Sequence, residues 1–190
     1  MDWRKTYLPS WTSEDTSFGE LKLDVKNIGK KALQYDKYSG CSQSVLLALQ
    51  EAFKIGNMES FKAATVLSGG VARKGETCGA LIGGLMALGL AIGREDITNT
   101  QAYRDAMVPS YEIINEFQSR IQETFGFEEP LKSTICRDIQ KSIYGEGFDL
   151  TDPTSYKAFL NAGGHDDNGC PLVCALAAEV TAEKLIELGF

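Results

Sequence analysis

The sequence of 190 residues contains a single histidine, His165, and this scarcity excludes several kinds of site. Metal centres that need several histidines cannot form, and serine-type catalysis finds little support. His165 itself lies in the polar, glycine-rich stretch 163–169, which predicts a solvated loop residue. The attachment motif C-x-x-C-H is also absent, so we expect no haem.

Long apolar runs and clusters of positive charge are absent as well. The most apolar stretch, 80–92, has 13 residues, whereas a bilayer span needs about 20. With 19 Lys and Arg against 26 Asp and Glu, the net charge is −7, which makes nucleic acid a poor partner. No apolar leader follows Met1, so we expect a cytoplasmic protein; a leader removed beforehand would leave a periplasmic location open.

A glycine-rich stretch, 70–77, has the spacing of the phosphate-binding motif G-x-x-x-x-G-K-[ST]. Glu76 occupies the position of the phosphate-binding lysine, and no predicted strand precedes the stretch. A carboxylate at this position repels an anion, so we expect no nucleotide.

Helical periodicity dominates the rest of the chain. Apolar residues recur at steps of three and four, which predicts helices near residues 21–35, 41–55, 60–67, 78–92, 100–125, 134–139, 153–160 and 170–185. No stretch alternates with period two. We therefore predict an all-α fold: a compact bundle of about six to eight helices, in one domain over 17–190, with a polar extension over 1–16.

The five cysteines all fall where predicted helices begin. They are Cys41, Cys78, Cys136, Cys170 and Cys174. A helix N-terminus carries about half a positive charge and favours a thiolate, so we expect lowered thiol pKa values, above all at Cys78, with Thr77 as its N-cap. Their odd number and long spacings favour free thiols, a metal or a reversible disulfide in a reducing compartment.

Cysteine alone supplies the candidate metal ligands. Cys170, the predicted N-cap of the last helix, and Cys174 lie one turn apart, within reach of a shared metal but poorly placed for a mutual disulfide. All five are candidate redox-active residues and candidate thiolate ligands. An iron–sulfur cluster needs such a set to converge in the fold, and zinc is the less favoured metal. For Cys174, simple core packing is an equal alternative.

Small residues form two stripes along the helix that follows Cys78. Gly79, Gly83 and Ala87 form one, and Ala80 and Gly84 form the other. Each helical glycine costs about 1 kcal/mol relative to alanine, so we expect a second helix or a partner subunit to approach closely here. The alternative is that Gly79 and Gly83 contact a cofactor directly.

The stretch Cys78-Gly79-Ala80-Leu81-Ile82-Gly83 resembles the signature of the C_GCAxxG_C_C family of redox-active proteins. The upstream family cysteine matches Cys41 in Gly40-Cys41-Ser42, the third matches Cys136, and the fourth matches Cys170 or Cys174. The similarity covers roughly 24–188. It implies an all-helical, dimeric redox protein, with a related domain in split-Soret-type cytochromes, whose haem motifs are missing here.

These observations lead to one main hypothesis and one alternative. The main hypothesis is a redox-active protein, or an oxidoreductase, that uses its clustered cysteines for thiol–disulfide or electron-transfer chemistry with an unidentified redox partner protein. An iron–sulfur cluster would serve the second chemistry. The alternative is a non-catalytic binding or accessory module whose cysteines pack the core or hold a structural zinc.

Overall fold

The computed structural model describes residues 23–190, so the predicted extension over 1–16 lies outside the described residues. Within this part the secondary structure is helical, with one isolated bridge between Thr77 and Ile135, and the all-α prediction is confirmed. The helices are α1 (Val25–Asp36), α2 (Cys41–Phe53), α3 (Met58–Ala63), α4 (Gly79–Ile92), α5 (Thr100–Phe125), α6 (Cys136–Tyr144), α7 (Pro153–Asn161) and α8 (Cys170–Glu187), with a 3-10 turn at Ala64–Leu67.

Helix α8 is the centre of the bundle. It packs against α1, α2, α4 and α5, and it is buried on nearly all sides. Its small side chains, among them Ala177, Ala178 and Ala182, allow four helices to surround it closely. None of the helices in the described part of the chain is long and apolar enough to cross a membrane.

The glycine stripes of α4 are explained by helices of the same chain. A methyl group at Gly83 would collide with the Ser42 carbonyl of α2, and one at Gly84 would collide with the Thr181 hydroxyl of α8. The predicted close approach therefore exists, and α2 and α8 provide it without a partner subunit.

The helix starts fall into two groups. In four of the eight described helices, the side chain of the N-cap residue accepts a backbone N–H of the first turn. These N-cap residues are Asp24, Asn57, Asn99 and Asp152. In the other four, α2, α4, α6 and α8, the N-cap residue makes no side-chain bond to the first turn. These four are the helices that begin with a cysteine or directly after one.

A cysteine-lined cavity

All five cysteines line one cavity of about 480 Å³. Cys41, Cys136 and Cys170 are the first residues of α2, α6 and α8, and Cys78 is the N-cap of α4. The predictions that Thr77 and Cys170 act as N-caps are therefore each wrong by one residue. The structure thus brings four helix starts to one place.

Short backbone pairing holds Cys78 beside Cys136. The N–H of Cys78 donates to the Thr134 carbonyl at 2.8 Å, and the N–H of Cys136 donates to the Glu76 carbonyl at 2.6 Å. The bridge between Thr77 and Ile135 lies between these bonds. Because α4 and α6 are joined just before they begin, their first turns reach the cavity together.

A left-handed turn forms one wall of the cavity. Five consecutive residues, 69–73, have φ between 52° and 67°, and three of them are not glycine: Val71, Ala72 and Arg73. This conformation costs about 1–2 kcal/mol per non-glycine residue, and such strain concentrates at functional sites. Gly69 and Gly70 allow the backbone to adopt this left-handed turn. The turn, and not phosphate binding, explains why the stretch is rich in glycine although it lacks the phosphate-binding lysine.

Burial raises the pKa of all five cysteine thiols. At Cys78 burial outweighs the backbone N–H groups of Leu81 and Ala80, which act in the opposite direction. Burial likewise raises the pKa of Cys170 to about 12. The prediction of lowered thiol pKa values is therefore wrong for the folded chain, because loss of solvent is a larger effect than the helix N-terminus.

The thiols have different immediate contacts. Cys170 is held by Tyr144, whose hydroxyl accepts the Cys170 N–H at 2.9 Å. The Gln140 side chain donates to the Cys136 sulfur at 3.7 Å. Cys174 is completely buried one turn inside α8, where its thiol faces the Cys41 carbonyl at 4.0 Å.

Gly79 and Gly83, the candidate cofactor contacts, lie against α2. A methyl group at Gly79 would come within 2.5 Å of the Cys41 sulfur and 3.0 Å of the Leu67 carbonyl. Gly79 therefore makes room for the Cys41 side chain beside the start of α4.

Asp36 and His165 also line the cavity, and the sequence reasoning missed both. Asp36 is 1% exposed, and His165 packs edge-on against Phe159 with ring centroids 5.5 Å apart. The prediction of a solvated histidine is wrong, since only 25% of its side chain is exposed. Their spacing in the sequence could have indicated this position, because Asp36 lies five residues before Cys41 and His165 lies five residues before Cys170.

The cysteine set has the donor chemistry of an iron–sulfur site, since thiolates hold such clusters. No group of three or more His, Cys, Asp or Glu side chains in residues 23–190 is placed to hold a metal ion. The five thiols instead line the walls of one cavity.

In the described residues, fold and site define an all-helical protein with five cysteines around one cavity, three of them buried and two partly exposed. A family model described as "Putative redox-active protein (C_GCAxxG_C_C)" matches residues 39–184. The match covers well over half of the chain and includes every cysteine, so the chain belongs to this redox-active family. No curated protein and no solved structure matches it.

Proposed function

We propose that this chain is an electron-transfer protein whose cavity cysteines hold an iron–sulfur cluster. The observation that supports this proposal best is the division of the helix starts. The N-cap residues of the four helices that begin elsewhere bind the first turn with their side chains, whereas the N-cap residues of the four that begin at the cavity make no such bond.

The four helix starts at the cavity favour an anion. The first N–H groups of a helix lack partners within it, and together they carry about half a positive charge. Some of these groups have partners elsewhere in the chain: those of Cys78 and Cys136 donate to backbone carbonyls, and that of Cys170 donates to the Tyr144 hydroxyl. Four helix N-termini at one cavity still give it positive potential, and a cluster with thiolate ligands is a negatively charged occupant.

The raised thiol pKa values weigh against free thiol chemistry. Neutral thiols are weak nucleophiles, because the thiolate is the attacking form. Iron has to displace the same protons when it binds, which lowers its apparent affinity at neutral pH, and the bonds from iron to sulfur offset that cost. The bound cluster would supply reversible uptake of one electron, and the chain supplies the ligands and a largely apolar wall.

Cys41, Cys78, Cys136 and Cys170 are the proposed ligands. Each is the first residue or the N-cap of its helix, and each lines the cavity. Cys174 lies one turn inside α8 and has no exposed surface. We assign Cys174 to packing and Cys170 to the fourth family position.

Thiol–disulfide exchange is the second candidate function. Cys41 and Cys170 are the two of the five cysteines with partial exposure, so a small disulfide could reach them from solvent. Exchange would oxidise the two thiols to a disulfide and reduce the incoming disulfide to two thiols.

The deciding experiment is the visible spectrum of protein purified without oxygen, with iron and sulfide analysis of the same sample. Broad charge-transfer bands with matching iron and sulfide support the cluster. The Cys78→Ser variant should lose both, and Cys174→Ala should keep them. A colourless native protein, unchanged after anaerobic reconstitution with iron and sulfide, overturns the cluster. Rapid alkylation at Cys41 and Cys170 would then support exchange, and slow alkylation would support a binding module.

A further inference from the structure

In the described part of the chain, the mouth of the cavity carries one exposed charged side chain, Arg73. The lining residues that are exposed to solvent form a rim around this mouth: Ser39, Thr65, Val66, Ala72 and Arg73. The acidic residue of the lining, Asp36, is only 1% exposed. A molecule that enters from solvent therefore meets a guanidinium first, although the whole chain has a net charge of −7.

Three features fix the position of Arg73 at this rim. Its backbone has a left-handed φ of 64°. Its stem lies across Gly69, where an added methyl group would come within 3.0 Å of the Arg73 Cγ. Its guanidinium carbon lies 5.0 Å from the ring centroid of Tyr156, a residue of α7 that lines the same cavity. This cation–π contact joins the left-handed turn to α7.

The guanidinium of Arg73 is available to an incoming anion. Within residues 23–190 it takes part in no ion pair, whereas Lys37 and Arg120, for example, are paired with acidic side chains. A guanidinium presents a planar fork of N–H donors that matches the two oxygens of a carboxylate. Arg73 can therefore bind a carboxylate while it stays in contact with the Tyr156 ring.

The turn that carries Arg73 also contacts Cys41. Burial raises the pKa of the Cys41 thiol, and a hydrogen bond from the Gly69 backbone N–H acts in the opposite direction. Gly69 thus has the Cys41 thiol and the Arg73 stem as direct neighbours. Because Cys41 is only partly buried, a small molecule held by the guanidinium lies beside a thiol that solvent can reach.

We propose that Arg73 selects the reactant of the cavity thiols, and that this reactant is a small disulfide that bears a carboxylate. The inference rests on the second candidate function, thiol–disulfide exchange in the cofactor-free chain, and names its substrate class. The Cys41 sulfur attacks one sulfur of the small disulfide and forms a mixed disulfide with it, while the other half leaves as a thiolate. The Cys41 proton passes through solvent to that thiolate, so Cys41 is oxidised and the departing half is reduced.

The test compares three small disulfides of similar size on reduced, cofactor-free protein at pH 8.5. The disulfide of mercaptopropionate is a dianion, that of mercaptoethanol is neutral, and that of mercaptoethylamine is a dication. Mass spectrometry measures the rate of mixed-disulfide formation at Cys41 and Cys170. Each rate is divided by the rate at the same cysteine in the chain unfolded in urea, which removes the intrinsic reactivity of the reagent.

We expect the native chain to prefer the dianion to the neutral disulfide by about threefold to tenfold in low salt, and to react most slowly with the dication. The preference should disappear in about 1 M salt, where charges are screened beyond about 3 Å. Salt that leaves the preference unchanged would show that shape, and not charge, decides the selection, and would overturn the proposal.

Arg73→Gln removes the charge and keeps a long side chain. Lys74→Gln is the matched control, because Lys74 is the next residue, is exposed and lies outside the cavity lining. We expect Arg73→Gln to lose the preference for the dianion and to keep the native rate with the neutral disulfide. Arg73→Lys should retain most of the preference, and Lys74→Gln should retain all of it. Circular dichroism checks the fold of each variant.

Equal normalised rates for the three disulfides in the native chain overturn the proposal, as does a preference that survives in Arg73→Gln or is lost equally in Lys74→Gln. A changed neutral rate in Arg73→Gln would mean that Arg73 acts on the thiols and not on the reactant, which also overturns it. If the unfolded chain reacts and the native chain reacts with none of the three, thiol–disulfide exchange itself is overturned, so the two failures are distinct.

Discussion

The Tyr144 hydroxyl accepts the backbone N–H of Cys170 at 2.9 Å and faces the Cys170 sulfur at 3.6 Å. One phenol on α6 thus fixes both the start of α8 and the thiol at that start. It connects the aromatic cluster of Phe148 and Phe159 to the cavity.

Replacing Tyr144 by Phe should therefore weaken both the fold and the Cys170 thiolate. The Cys170 N–H would keep only the Gly164 carbonyl, at 3.2 Å, so the lost hydrogen bond should cost about 0.5–1.5 kcal/mol in the free energy of unfolding. The hydroxyl also lowers the pKa of Cys170, so its removal should slow alkylation of this thiol in reduced, cofactor-free protein. Urea unfolding and mass-spectrometric alkylation rates at pH 8.5 measure the two effects.

Tyr156→Phe is the matched control for this variant. Tyr156 lines the same cavity and stacks on Phe159, and its ring lies under the Arg73 guanidinium. We expect near-native stability and unchanged alkylation of Cys170. Equal effects of the two substitutions would contradict the role given to the Tyr144 hydroxyl.

Single substitutions at the two cysteines of α8 should behave differently. Cys170→Ser should abolish iron and sulfide binding, because Cys170 is the proposed ligand at the first residue of α8. Cys174→Ala should retain both and should lose little stability, since alanine keeps a small apolar side chain at a buried position. Metal analysis of the two purified variants checks this, and the reverse pattern would move the fourth ligand to Cys174.

Gly70→Ala should be much more damaging than Gly126→Ala. Both glycines have left-handed φ, 67° and 70°, so both substitutions should cost about 1 kcal/mol from the backbone. A methyl group at Gly70 would also meet the Glu76 backbone and, at 2.7 Å, the Cys136 Cβ, whereas nothing lies within 4 Å at Gly126. We expect a further cost of about 1–3 kcal/mol at Gly70, measured by urea unfolding. Equal losses would show that the left-handed turn is not packed against Cys136.

Reduced, cofactor-free protein should lose stability as the pH rises above about 8.5. Burial raises the thiol pKa values in the folded chain, so unfolding releases protons once the pH exceeds the unfolded thiol pKa of about 8.5. Each thiol can contribute up to about 1.4 kcal/mol per pH unit above that value. The stability is fully present below pH 8.5.

Urea unfolding at pH 7.5, 8.5 and 9.5 under a reductant measures this slope. The Cys174→Ala variant should show a slope smaller by nearly one proton. A native slope of zero over this range would mean that the thiols titrate alike in the folded and unfolded chain.

Periodicity was a sufficient guide to the helices of this fold. The apolar residues of 100–125 recur so regularly that the predicted and observed bounds of α5 coincide, with Pro109 inside. Boundaries were less predictable where a cysteine takes the place of an ordinary cap. At Cys78 the sequence offers a good cap one residue too early, and backbone pairing with α6 decides the outcome.

The candidate site was predictable in composition but not in environment. Helix periodicity places the cysteines at helix starts, and only the packing around α8 brings those starts to one cavity. The same packing removes solvent, which reverses the predicted pKa shift. His165 was misjudged because its polar neighbours Asp166 and Asp167 dominate the local sequence, whereas its own side chain packs inward on Phe159.

The position of Cys170 also concerns the stability of the whole bundle. Helix α8 contacts four other helices, and its first residue, Cys170, lines the cavity. Under the proposed function, loading the cavity would therefore tighten the central helix as well as supply an electron carrier. Binding of the cofactor and completion of the fold would then occur together. The chain without its cofactor would keep its helices but would hold α8, its most buried helix, least tightly.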